Sequence, residues 1–110
     1  MRIVCFNINS IRARPHQLEH IRDVLKPDVI GLQETKVNDP DFPLEVIEEI
    51  EYHAEYWGQK GHYGVALLSK EKPIETQKGF IGDTEEDQKR FIQGTYDFNG
   101  SKIVIMNGYF

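Results

Sequence analysis

The sequence holds a single cysteine, Cys5, in 110 residues. No internal disulfide can form, so stability has to come from a packed core, and a reducing cytoplasm is the expected compartment. Cys5 sits in an apolar stretch and reads as a small core residue rather than a reactive thiol. Long hydrophobic runs are also lacking. No segment approaches the roughly 20 apolar residues that span a bilayer, and the run after Met1-Arg2 is too short for a signal peptide. Positive charge is not in excess: the formal net charge is −5, which argues against a generic, basic nucleic-acid binder. There is no phosphate-binding P-loop. The stretch Gly58-Gln59-Lys60-Gly61-His62-Tyr63-Gly64 has the wrong glycine spacing and lacks the closing Lys-Ser/Thr. Internal repeats, low-complexity tracts and linkers are absent as well.

What is there suits one core. A chain of this length buries roughly two-thirds of its unfolded surface, and an apolar fraction of 39% does not suggest disorder. Charge is unevenly placed. Arg12, Arg14 and His16 cluster early, and Lys60 and His62 share the glycine-rich loop. Carboxylates gather in Glu45 to Glu55 and in Asp83 to Asp87, which read as solvated faces. That distribution leaves room for a local basic rim on an acidic protein.

The stretch Pro27 to Lys36 organises the chain. A turn signal, Lys26-Pro27-Asp28, leads into Val29-Ile30-Gly31-Leu32 and ends in Gln33, Glu34, Thr35 and Lys36. So short an apolar run predicts a buried strand. A carboxylate at the end of such a strand is held rigidly where ligands come in α/β folds, so Glu34 is the first candidate site residue.

In chain order, Arg2 to Asn9 reads as a strand with Ile3, Cys5, Asn7 and Asn9 on one side. The two amides could orient a ligand or a metal-bound water, or only satisfy nearby backbone groups. Ser10 to Leu25 contains a helix, with Pro15 in its first turn and Leu18, Ile21 and Leu25 as its apolar stripe. Arg12 and Arg14 precede it and could meet phosphate oxygens or remain ordinary surface cations. A second short helix opens at Phe42-Pro43, with Leu44, Ile47 and Ile50 aligned. Tyr52 to Trp57 and Val65 to Leu68 read as a hairpin-like pair around the glycine-rich loop. That loop is either a plain turn or a rest for a nucleic-acid backbone. Pro73 to Phe80 is a weaker strand, and Gly82 to Lys89 an acidic link. Phe91 to Phe98 and Lys102 to Tyr109 form strands joined by Asn99-Gly100, the strongest short hairpin signal. In the last of these Ile103, Ile105, Asn107 and Tyr109 share a side. Most strands expect apolar cover on both faces, and two short helices cover only one. The chain therefore reads as half of a domain with an uncovered inner face. His16, His20, His53 and His62 have no carboxylate partner identifiable in the sequence.

Four stretches, CFNINSIRARP, PDVIGLQETK, GQKGHYGVALLSK and MNGYF, resemble in order the amino-terminal part of the exonuclease III family. These are class II apurinic/apyrimidinic (AP) endonucleases of the endonuclease/exonuclease/phosphatase superfamily. The resemblance covers essentially all 110 residues. LQET marks the superfamily, and the four stretches together mark this branch. It implies an α/β, DNase I-like four-layer sandwich. Residues 1–110 would be the amino-terminal half of a single, incomplete domain: one mainly antiparallel mixed sheet with two short helices.

Residue by residue, the resemblance implies that Glu34 binds Mg²⁺ (or Mn²⁺) and that Asn7 helps build the metal and phosphate site. It implies that Tyr109 approaches the scissile phosphate, and that Arg12, Lys36 and Tyr63 lie near the site or the DNA backbone. Asn9 stands where some relatives carry an aspartate, and Ser10 where many carry glycine. The implied activity is a Mg²⁺-dependent DNA-repair phosphodiesterase: AP endonuclease, 3′–5′ exonuclease and 3′-phosphatase on duplex DNA with abasic sites or 3′ ends. The family's later aspartate, asparagine and aspartate–histidine pair have no counterpart here, so the 110 residues alone are expected to be inactive and to need the carboxy-terminal half. The rival readings are a superfamily phosphodiesterase acting on a non-DNA phosphoester and a non-catalytic DNA-binding or assembly fragment.

Overall fold

A computed structural model describes residues 1–84 and 86–110; Glu85, one carboxylate of the acidic link, lies outside the described residues. The chain runs β1 (Ile3–Asn7), α1 (Pro15–Leu25), β2 (Val29–Gln33), a 3₁₀ turn (Asp39–Asp41) and α2 (Leu44–Glu49). It continues through β3 (His53–Trp57), β4 (Val65–Ser69), β5 (Glu75–Lys78), β6 (Phe91–Phe98) and β7 (Ser101–Gly108).

Local chemistry explains these boundaries. Pro15 starts α1, where its missing N–H costs nothing, and Lys26 ends it in the left-handed region at φ 48°. Its N–H returns to the carbonyls of Ile21 and Arg22, and Pro27 prevents continuation. The helix buries Leu18 and Ile21 but leaves Leu25 exposed. In the second helical segment Ile47 and Ile50 are buried and Leu44 is exposed. At the β6–β7 turn, Asn99 and Gly100 take φ 53° and 85°, the double positive φ that a two-residue hairpin requires.

The strands divide into two sheets, where the sequence suggested one. The four-stranded sheet has the order β1-β2-β4-β3. β1 and β2 are parallel, joined by the α1 crossover that parallel pairing demands, while β4 runs antiparallel to both β2 and β3. The three-stranded antiparallel sheet has the order β5-β6-β7. Its inner face lies over β2, β3 and β4.

Two cores result. One lies between the first sheet and its helices, around Leu18, Ile30, Leu32, Ile47 and Leu68. The other lies between the sheets and joins Val29, Val65, Leu67, Ile92, Tyr96 and Ile105. Every residue of β2 and β4 is buried, as strands covered on both faces must be. Fully burying one such aliphatic side chain contributes about 1.5–3 kcal/mol. The inner face of the first sheet is thus covered by this chain's own second sheet, contrary to the reading of an uncovered inner face. Exposed apolar side chains lie on the outer face of β7 instead, at Val104 and Met106. Cys5 is exposed rather than in the core, because β1 is an edge strand and the second sheet lies over its neighbours.

One polar group crosses between the sheets. The Asn107 amide, 5% exposed, donates to the carbonyls of Leu32 and Ala66, each at 2.9 Å. Its Oδ1 accepts from Gln33 Nε2 at 2.5 Å. Truncating it would strand buried partners on β2 and β4 of the facing sheet, and one orphaned buried group costs about 1–3 kcal/mol. Asn107→Ala is expected to lower the unfolding free energy by about 2–4 kcal/mol in urea titrations; an unchanged midpoint would show that the amide ties nothing.

Candidate active site

The ends of β1 and β2 continue to pair after the sheet proper stops. Ile8 N donates to Gln33 O, Ser10 N to Glu34 O and Ile11 N to Thr35 O, at 2.9–3.1 Å. On the other side, Thr35 N and Lys36 N donate to the carbonyls of Gly64 and Tyr63. Residues 34–36 are therefore a bridge between the segment after β1 and the glycine-rich loop. The bridge is bent: Asn9, Ser10, Glu34 and Lys36 all have positive φ, at 48°, 85°, 53° and 57°. Non-glycine residues in this region are strained and gather at functional sites. Gly64 has no alternative, since φ is +106° and a Cβ would lie 2.2 Å from Thr35 Oγ1.

This bent corner gathers the polar side chains. Asn7 Nδ2 donates to Glu34 Oε1 at 2.9 Å, and Asn7 Oδ1 accepts from the Asn9 N–H at 3.1 Å. Lys36 Nζ lies 3.4 Å from Glu34 Oε2 and donates to Asn9 Oδ1 at 2.6 Å. Asn9 is further held by Arg14, whose guanidinium donates to the Asn9 carbonyl. Tyr109 reaches the same carboxylate from the second sheet. The Asn7 amide, helped by the Tyr109 hydroxyl and the Lys36 ammonium, holds the Glu34 carboxyl below its usual range despite burial. Conversely, contact with Glu34 and burial raise the Tyr109 phenol, with Arg90 opposing. At neutral pH the cluster therefore contains a carboxylate and a phenol O–H donor.

Asn7, Glu34 and Tyr109 converge as the alternation pattern suggested, but by another route. β1 and β2 lie side by side, while Tyr109 arrives from the facing sheet. Lys36 points into the cluster. Arg12 is exposed and ion-pairs with no carboxylate among the described residues. Tyr63 is half-buried in the loop, its ring 6.4 Å from that of Tyr109. His53 does have a carboxylate partner, Glu55 at 2.5 Å, but on β3, the far edge of the sheet from β1.

Sequence reasoning missed Arg90. Its guanidinium carbon lies 4.8 Å from the Tyr63 ring centre and 5.5 Å from that of Tyr109. The signal was available: counting back along the hairpin from Asn99-Gly100 puts Arg90 opposite Tyr109.

Among the described residues no group of three or more His, Cys, Asp or Glu side chains gathers as a metal cluster. The donor set at Glu34 still fits a hard divalent cation that keeps most of its water. It offers one deprotonated carboxylate, 19% exposed, beside an amide, and Mg²⁺ is commonly bound through one or two carboxylates.

Two facing sheets with a strand-end carboxylate, amide and phenol at their rim define a DNase I-like α/β sandwich. Its solved neighbours agree. A 3′ phosphatase from Neisseria, solved with a product DNA hairpin, superposes with a TM-score of 0.88 at 29% identity, covering 99% of this chain and 41% of that one. An AP endonuclease from Archaeoglobus fulgidus gives 0.85 at 36% identity, covering 99% and 40%. The chain belongs to the endonuclease/exonuclease/phosphatase family, whose model matches residues 4–106. It is 51% identical over its whole length to exodeoxyribonuclease III of Haemophilus influenzae, covering 41% of that protein. It is 33% identical over 94 residues to an exodeoxyribonuclease of Bacillus subtilis, covering 81% of this chain and 35% of that protein. The chain thus spans about two-fifths or less of the length of these relatives.

The strain at Ser10 gives a direct test of the corner. Its φ of 85° suits glycine, and relieving it outweighs the added chain entropy. Ser10→Gly should raise stability by about 0.5–1 kcal/mol, read as a higher urea midpoint; a lower midpoint would mean that the left-handed turn costs serine little.

Proposed function

We propose that the chain is the amino-terminal portion of a single nuclease domain of the exonuclease III type. Its reaction would be Mg²⁺-dependent hydrolysis of phosphodiesters in duplex DNA. The proposed activities are AP endonuclease, 3′–5′ exonuclease and 3′-phosphatase, at abasic sites and 3′ ends, in the cytoplasm. The observation that carries this reading is the meeting of Asn7, Glu34 and Tyr109 at one rim of the sandwich.

Bound there, Mg²⁺ would supply charge stabilisation to the phosphate oxygens. The residues define what the chain contributes. Glu34 is the protein ligand, kept deprotonated and aimed by the Asn7 amide. Lys36 balances the carboxylate and holds Asn9 Oδ1, so Asn9 is not a ligand. When DNA is bound, Tyr109 would hand its O–H from the Glu34 carboxylate to a phosphate oxygen, where a donor stabilises developing charge. Tyr63 and the exposed Arg12 would meet the DNA backbone.

No aspartate or histidine joins the cluster among the described residues. A general base and a general acid each contribute about 10²–10⁴-fold, and these residues supply neither. That observation favours a second reading for the isolated chain, a DNA-binding or assembly fragment without catalysis.

Calorimetric titration with MgCl₂ should show weak binding by the chain and weaker binding by Glu34→Gln; equal affinities would remove Glu34 as the ligand. The isolated chain should not measurably cut abasic duplex DNA. Joined to the remaining length of the H. influenzae relative, it should cut in an EDTA-sensitive way, with Tyr109→Phe slowing kcat by about 10²-fold. EDTA-sensitive cleavage by the isolated chain, free of contaminating nuclease, would show that the catalytic groups are misassigned.

A further inference from the structure

Arg90 sits in an arrangement that a surface cation does not need. Its side chain lies against the rings of both Tyr63 and Tyr109, which meet edge to face at 61°. Nε donates to Gln88 Oε1 at 2.6 Å and Nη1 to the Tyr109 carbonyl at 3.3 Å. It ion-pairs with no carboxylate among the described residues. A planar guanidinium can stack along an aromatic face while its edge donates hydrogen bonds in a fixed fork; an ammonium is a compact point charge that does not stack.

The neighbouring backbone makes this contact separable from folding. Tyr109 N donates to Arg90 O at 2.8 Å, and Gly64 N to Lys89 O at 3.0 Å. Lys89 N in turn donates to Gln59 Oε1 at 2.8 Å. Lys89 and Arg90 thus tie the glycine-rich loop to the end of β7 through backbone groups that survive truncation of the Arg90 side chain. What the side chain adds is its contact with the two rings and its bonds to Gln88 and the Tyr109 carbonyl.

We propose that Arg90 is a positioning residue. Its guanidinium packs against the rings of Tyr63 and Tyr109, aiming the Tyr109 hydroxyl at the Glu34 carboxylate and locking that aim to the loop that meets DNA. This inference deepens the nuclease reading and rests on it. Placement matters at such a site, because an error of about 1 Å in a reacting group can cost roughly 10²-fold.

The test has two arms. In the chain joined to the remaining length of the H. influenzae relative, kcat and KM on an abasic duplex are measured for wild type, Arg90→Ala, Arg90→Lys, Tyr109→Phe and Arg90→Ala/Tyr109→Phe. Arg90→Ala should lower kcat by about 10–10²-fold with little change in KM. Arg90→Lys should not restore it, and in the Tyr109→Phe background the Arg90 change should cost almost nothing. Fully additive losses, rescue by lysine or an unchanged kcat would each overturn the proposal. In the isolated chain, aromatic NMR reads the pose without activity. Tyr63–Tyr109 ring cross-peaks should vanish in Arg90→Ala and in Arg90→Lys while thermal stability is nearly kept; cross-peaks retained in both would overturn it. If the joined wild-type enzyme leaves abasic DNA intact, the nuclease reading fails and the NMR arm alone decides the role of Arg90.

Discussion

The slide of one sheet over the other is set by the side chain of Asn107. Apolar packing between β2, β4, β6 and β7 supplies most of the attraction, but it is non-directional and tolerates small offsets. The amide does not tolerate them. Both of its N–H groups go to carbonyls on the opposite sheet, and its oxygen accepts from Gln33. A buried amide that loses such partners is penalised heavily in a low-dielectric interior. Gln33 immediately precedes Glu34, and Asn107 precedes Tyr109 by two residues. One hydrogen-bonded junction therefore fixes both the strand end that carries the carboxylate and the one that carries the phenol.

That junction explains why the candidate site holds together although its parts come from different sheets. β1 and β2 bring Asn7 and Glu34 side by side through parallel pairing, a local matter of register. Tyr109 has no such neighbour relation to Glu34. It meets the carboxylate only because the second sheet is held in one position, and because β7 continues its inward alternation through 105, 107 and 109.

Much of this was legible in the sequence. The Pro-Asp entry and short apolar run defined β2, and Asn-Gly defined the β6–β7 turn. Strand-end polarity pointed to Asn7, Glu34 and Tyr109. The division into two sheets was not legible, because alternation says which side chains share a face and not what that face meets. Cys5 illustrates the same limit, since its environment depends on β1 being an edge strand. Asn107 stood out as an amide in an apolar pattern, but its role needs the carbonyls of Leu32 and Ala66 opposite. The resemblance put Lys36 near the site or the DNA backbone, and only the left-handed turns at residues 34 and 36 reveal that it folds back onto Glu34. Arg90 was within reach, because the turn alone fixes that the residue just before β6 faces Tyr109.

The bent corner at residues 9–10 and 34–36 shows the cost of building a site at strand ends. Four non-glycine residues there hold left-handed backbone, a conformation that L-residues avoid. An unstrained extension of β2 would alternate side chains across the sheet and carry Lys36 away from the carboxylate. The turns instead place Lys36 beside Glu34 and hand the Thr35 and Lys36 N–H groups to the glycine-rich loop. The strain and the ordering of the loop are therefore one feature. A chain that relaxed the corner would also release the loop carrying Tyr63, and with it the ring against which Arg90 packs. The polar cluster, the loop and the aromatic contact stand on the same few backbone hydrogen bonds, which makes the geometry of this rim a single cooperative property rather than a sum of independent contacts.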